Sequence, residues 1–148
     1  MNKRSVVVTD RIIVADDHPM FRDALSQSLR NAYPDAAVAE AENLPDALKL
    51  ARDHGPPSLF VLDLVFPGME GPVTIGEIRR EFPAASIIVV TMLEDQLVAK
   101  QMLDSGADGY LGKGLSSSEI IKGIRAVRAG EFVINVTPAA PVAAFDKP

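Results

Sequence analysis

The chain has 148 residues, 47% of them hydrophobic and 24% charged, with a net charge of −5 and no cysteine. That length suits one domain able to bury roughly 68–70% of its unfolded surface, and the composition is that of a soluble globular protein with no disulfide framework, thiolate metal site or cysteine nucleophile. The negative balance argues against a surface that grips a phosphate backbone, and the apolar run 6–8, cut off by Asp10, is too short for a signal core or a membrane span; a cytoplasmic protein is expected.

Short β-branched runs alternate with amphipathic segments. Arg11–Ala15 (RIIVA) reads as a buried strand. Residues 18–33 read as a helix with Phe21, Ala24, Leu25, Ser28, Leu29 and Ala32 on one stripe, stopped by Pro34. Ala37–Ala41 is a weaker strand, and Asn43 can cap a helix that carries Leu44, Ala47, Leu48 and Ala51 as far as Gly55-Pro56-Pro57. Leu59–Leu62 is a third strand, followed by a loop with Pro67, Gly68, Gly71 and Pro72, and then a helix that buries Ile75, Ile78 and Phe82. Residues 86–90 (SIIVV) form a fourth strand, 95–104 a fourth helix and 109–111 a short fifth strand. The last helix begins at a capping box, Ser116 with Glu119, and buries Ile120, Ile121, Ile124 and Val127 before Gly130. The pattern divides the chain into a tail over 1–10, a folded domain over 11–131 and a linker or tail over 132–148, whose end (TPAAPVAAFDKP) has no amphipathic period.

Five apolar strands joined by helical crossovers predict a doubly wound α/β domain with a parallel sheet covered on both faces. In such sheets function gathers beyond the carboxyl ends of the strands. Strand one ends in Asp16-Asp17, strand three in Asp63 and strand four in Thr91, and strand five runs into Lys113. Singly, these are ordinary helix caps, turn formers and surface charges. Together they bring three carboxylates to one edge, where two unit charges about 5 Å apart repel by roughly 3 kcal/mol at an effective dielectric of 20. Such an edge calls for positive charge from Lys113, from a cation or from both. Carboxylates with a backbone carbonyl and water suit Mg²⁺. A carboxylate beside Mg²⁺ can attack phosphorus while a lysine and a hydroxyl stabilise the transferring oxygens.

The segments VADDHPMFRDAL, VLDLVFPGMEG, VVTML and GADGYLGKG resemble the receiver domains of two-component response regulators, most closely those of the NarL/LuxR class, over about residues 11–131. The resemblance implies the flavodoxin-like strand order 2-1-3-4-5. It implies that Asp63 accepts a phosphoryl group from a sensor histidine kinase. Asp17, Asp63 and the backbone carbonyl of Val65 would ligate Mg²⁺, with Asp16 helping directly or through water. Thr91 and Lys113 would bind phosphoryl oxygens, and Tyr110 would be the aromatic that turns inward when Thr91 moves, a switch biased by a new charge. His18 would start the first helix and not ligate the metal, and His54 would be a helix-end surface residue. The resemblance further implies transcription regulation through a DNA-binding output domain absent from this chain, a phosphorylation-linked homodimer, and a protein that is not a conventional enzyme.

Three departures from the family pattern stand out. Phe66 and Glu70 replace commoner residues of the loop. Gly114 follows Lys113 where many relatives have proline, and a cis peptide there without proline would cost roughly 2.5–4 kcal/mol. Val65 and Leu93, two residues beyond Asp63 and Thr91, are apolar where receivers can position the hydrolytic water, which predicts slow self-dephosphorylation. Two other functions compete with this one. A phosphatase of the haloacid dehalogenase type needs a second acid two residues after the nucleophile, and Val65 stands there. A pseudo-receiver usually lacks an acid or the lysine, and all are present.

Overall fold

The computed structural model of the chain describes residues 10–136; the tail before residue 10 and the segment 137–148 lie outside the described residues. In chain order the elements are β1 (Arg11–Ala15), α1 (Pro19–Ala32), β2 (Ala37–Ala41), α2 (Leu44–Asp53), β3 (Leu59–Leu62), α3 (Pro72–Glu81), β4 (Ser86–Thr91), α4 (Gln96–Ser105), β5 (Gly109–Gly112), α5 (Ser117–Arg128) and β6 (Val133–Asn135). All strand pairs are parallel, and the order across the sheet is β2-β1-β3-β4-β5-β6.

The first five strands follow the expected order 2-1-3-4-5. The sheet differs from the expected five strands by β6, which forms in the stretch read as a linker. Val133, Ile134 and Asn135 pair with Gly109, Tyr110 and Leu111. The run FVINV is rich in β-branched and aromatic residues but shows no apolar–polar alternation. Val133 packs toward one core and Val136, 5% exposed, into the other, so tertiary burial holds a strand that its Pro- and Ala-rich surroundings obscured.

The period of two along each strand divides the core between the two faces. Ile13, Ala15, Phe60, Leu62, Ile87, Val89 and Tyr110 face α2, α3 and α4, meeting Ala47, Ile75, Ile78, Ala99 and Met102. Ile12, Val14, Leu59, Val61, Ile88, Val90 and Leu111 face α1 and α5, meeting Leu25, Leu29, Ile120, Ile124 and Val127. Each such side chain contributes about 1.5–3 kcal/mol on burial, so both crossover layers are anchored to the sheet.

The helix starts follow the predicted caps. Asn43 accepts from the Asp46 N–H at 2.8 Å, and Ser116 with Glu119 forms the complete capping box. The loop after β3 is pressed onto α2: the Leu44 N–H donates to the Pro67 carbonyl at 2.8 Å. Gly68 lies at φ +95°, and a Cβ there would stand 2.8 Å from that of Leu44, so the loop needs both the left-handed conformation and the missing side chain. Every peptide bond among the described residues is trans, the one after Lys113 included.

Candidate functional site

The sheet ladder runs one residue past the strands and places three of the chemical side chains. The Asp16 N–H donates to the Ala41 carbonyl at 3.0 Å, that of Asp63 to Ala15 at 2.9 Å, and that of Lys113 to Thr91 at 2.9 Å. The backbone under the two acids and the lysine is therefore as fixed as the sheet. Arg22 adds to this from α1, donating to the Asp16 carbonyl at 2.7 Å and to Glu40 at 3.0 Å.

On that frame the side chains converge. Lys113 Nζ lies 2.8 Å from Asp16 Oδ2 and 3.0 Å from Asp63 Oδ2, with all three side chains at most 5% exposed. It also stands 4.7 Å from the centroid of the Phe21 ring, a cation–π contact that helps to hold the ammonium. Asp17 is exposed and closes the group. Among the described residues, Asp16, Asp17, Asp63 and His18 each offer an atom within 4.8 Å of the others. One buried ammonium faces three carboxylates, so the cluster retains room and charge for a divalent cation, and its oxygen donors suit a hard ion.

Thr91 is fully buried at the end of β4, and its Oγ1 accepts from the Leu93 N–H at 3.2 Å. Tyr110 is turned inward and fully buried, and its hydroxyl donates to the Leu93 carbonyl. Burial, then the charges of Asp95, Asp63 and Glu94, push the Tyr110 hydroxyl up to about 12, which keeps it a proton donor. Leu93 is thus gripped from both sides, by Thr91 through its N–H and by Tyr110 through its carbonyl. At the mouth of the site Val65 is 66% and Leu93 43% exposed, and the Val65 N–H donates to Asp63 Oδ1 at 3.3 Å.

The structure brings together Asp16, Asp17, Asp63 and Lys113, with Thr91 one strand away and Tyr110 behind it. His54 caps the end of α2, away from this edge. Two neighbours went unforeseen in the sequence. Phe21 read as part of an apolar stripe, yet its ring covers Lys113. His18 starts the helix as expected, but its ring turns back into the acids, with Nδ1 3.1 Å from Asp16, 3.4 Å from Asp17 and 3.7 Å from Asp63. The Asp-Asp-His run was the only sequence signal, and spacing alone does not say where a ring points. The edge of β5 is covered by β6.

Comparison with known proteins agrees with this geometry. The family model of the response regulator receiver domain matches residues 12–125. The nitrate/nitrite response regulator NarL of Escherichia coli is 33% identical over 84% of this chain; the matched stretch is 57% of that protein, so the chain spans little more than half of it. A two-component response regulator of the LuxR family from Aurantimonas superposes with a TM-score of 0.73 at 33% identity, covering 93% of this chain and 94% of that one. A response regulator from Burkholderia pseudomallei, solved with a phosphorylated aspartic acid, a calcium ion and citrate, has a TM-score of 0.69 at 28% identity over 81% of this chain and 69% of its own.

Proposed function

The chain belongs to the response regulator receiver domain family, and from that premise we propose that Asp63 is its phosphoacceptor, charged by a sensor histidine kinase. The observation that carries the assignment is the bridge at the carboxyl edge, where Lys113 spans the buried pair Asp16 and Asp63.

In the transfer, one oxygen of Asp63 attacks phosphorus in line, and the bond from phosphorus to the donor nitrogen breaks. Lys113 releases Asp63 Oδ2 for a phosphoryl oxygen while its contact with Asp16 holds it in place. The Thr91 hydroxyl donates to a second phosphoryl oxygen. Asp17, Asp63 and the Val65 carbonyl, with Asp16 directly or through water, would hold Mg²⁺, which would supply the charge neutralisation that phosphoryl transfer requires. The calcium ion and phosphorylated aspartic acid of the Burkholderia relative support this reading. Val65 and Leu93 offer apolar side chains at the mouth of the site, so neither orients a water for attack on the acyl phosphate, and self-dephosphorylation is slow. The protein consumes its own phosphoryl group and is not a conventional enzyme.

Drawing Thr91 toward the phosphoryl group pulls on the Leu93 N–H, and Tyr110 holds the Leu93 carbonyl. Tyr110 pairs in register with Ile134 of β6, which leads into the chain beyond residue 136. We read this as the route by which phosphorylation reaches a self-associating surface and a DNA-binding output domain such as NarL-type transcription regulators carry. We place the chain in the cytoplasm as receivers of this family are; among the described residues no helix is long and apolar enough to cross a membrane. The assignment is tested by treating the chain with a small phosphodonor and Mg²⁺ and mapping the label by peptide mass. One acid-labile phosphate on the peptide containing Asp63 is expected, and label on another peptide would refute it. Sedimentation of labelled and free protein tests the self-association; identical profiles would remove it.

A further inference from the structure

We propose that His18 is a ligand of the cation site through Nδ1, so that this site prefers borderline first-row ions such as Co²⁺ and Zn²⁺ over Mg²⁺ by a margin that His18 sets. The inference rests on the acid site proposed above and adds a nitrogen donor to the oxygen donors that would hold Mg²⁺.

Donor spacing is the first ground. Around an ion with bonds of about 2.1 Å, neighbouring donors lie about 3.0 Å apart in an octahedron and about 3.4 Å apart in a tetrahedron. His18 Nδ1 stands 3.1, 3.4 and 3.7 Å from oxygens of Asp16, Asp17 and Asp63. The nitrogen therefore stands at or near coordination spacing from an oxygen of each carboxylate, and all four donor atoms lie within 4.8 Å of one another.

The second ground is the lone pair. An ammonium has only donors, so the 3.1 Å contact of Lys113 Nζ with His18 Nδ1 is a hydrogen bond only when Nδ1 carries its lone pair and Nε2 the proton. Asp16 Oδ1 keeps the backbone N–H of His18 at 2.8 Å, and the Nδ1 lone pair then faces that carboxylate at 3.1 Å, a repulsion that a cation between the two would relieve. The ring then offers a free nitrogen donor facing the acids. An ion taking that lone pair displaces only the Lys113–His18 contact, and Lys113 keeps Asp16 and Asp63.

The third ground is rigidity. His18 precedes Pro19 at the start of α1, and the Asp16 carboxylate holds its backbone. The ring is thus presented by a fixed turn. Imidazole suits Zn²⁺ and its first-row neighbours, whereas carboxylate and water suit Mg²⁺, so one added nitrogen shifts the order of preference without changing the acids.

The test compares Mg²⁺ and Co²⁺ affinities of the chain with those of His18→Ala and His18→Gln by calorimetric titration, following Co²⁺ also by its visible absorption. Loss of Co²⁺ affinity by at least about tenfold, with Mg²⁺ changed by less than about threefold, is expected in both variants. Equal losses for the two ions, or an unchanged Co²⁺ affinity, would overturn the proposal. Independently of any variant, ring-nitrogen NMR of the ¹⁵N-histidine protein with Zn²⁺ should move His18 Nδ1. The chain has two histidines, and a response confined to His54 or to His18 Nε2 would equally overturn it. Labelling of Asp63 in Mg²⁺ reads the proposed function separately, so the failure of one is distinguishable from the failure of the other.

Discussion

At the amino end of the sheet, Arg128 Nη2 donates to both oxygens of Asp10 at 3.0 and 2.9 Å. Arg79 donates to Asp108 at 2.7 Å and to the carbonyls of Gly106, Ala85 and Pro83, and Asp108 also accepts the Ile87 N–H at 2.9 Å. Each guanidinium there meets its own carboxylate; the other donors of Arg79 go to backbone carbonyls, whereas Arg128 Nη2 also reaches the Ser58 hydroxyl at 3.4 Å and its Nη1 is buried without a hydrogen-bond partner. At the carboxyl end, Lys113 alone among these basic side chains is shared between two buried acids, with a third acid beside them. The same fold thus uses charge in two ways. Matched charges tie strand starts to helix ends, while unmatched charge stays at the edge where we propose that an ion and a phosphoryl group are received.

The contrast breaks most visibly if the acid excess is left without its cation. Chelation, or Asp17→Ala, should abolish phosphate incorporation, because the remaining carboxylates repel the incoming group; labelling at the wild-type rate in excess chelator would count against a functional excess. The amino end should fail in the opposite way. Arg79→Ala leaves Asp108 and several carbonyls without their donor and should cost about 2 kcal/mol of stability while the chain still takes phosphate on Asp63. Chemical denaturation with parallel labelling reads both, and a loss of labelling in a folded Arg79→Ala variant would blur the division.

The rim of the site sharpens the comparison by rate. Val65→Asn with Leu93→Glu should hasten loss of the phosphoryl group about tenfold, since one to two kcal/mol of water positioning is restored and about 1.36 kcal/mol corresponds to a factor of ten. Equal half-lives at saturating Mg²⁺ would mean that these side chains only pack. The smallest effect belongs to Tyr110. Its hydroxyl, raised to about 12 by burial and neighbouring acids, stays protonated in the fold after the unfolded chain has ionised near 10. The stability it contributes is complete below pH 10 and is lost as pH climbs toward 12. Denaturation midpoints of wild type and Tyr110→Phe across that window should converge with the wild type falling faster; parallel curves would refute it.

How much of this was legible in sequence follows from the range of the interactions. Strand ends, caps and the acid, threonine and lysine positions are local marks on a repeating βα pattern, and they were read directly. Phe21 over Lys113, the inward ring of His18, and the pairing of Arg79 with Asp108 depend on which helix face and which rotamer meets which strand, and no short motif encodes that. The strand β6 lay in between: FVINV has β-forming residues, but its three paired residues are too few to signal a strand until Gly109–Leu111 offers them an edge.

The most direct test of unmatched against matched charge is a paired substitution, Asp63→Asn and Asp108→Asn, each followed by thermal unfolding and phosphate incorporation. Removing charge from the crowded end should abolish incorporation and leave the unfolding temperature unchanged or higher, because Lys113 keeps Asp16 and one repulsion disappears. Removing it from the matched end should lower the unfolding temperature and preserve incorporation. An Asp63→Asn protein that takes up phosphate like the wild type, or that unfolds as early as Asp108→Asn, would contradict the account.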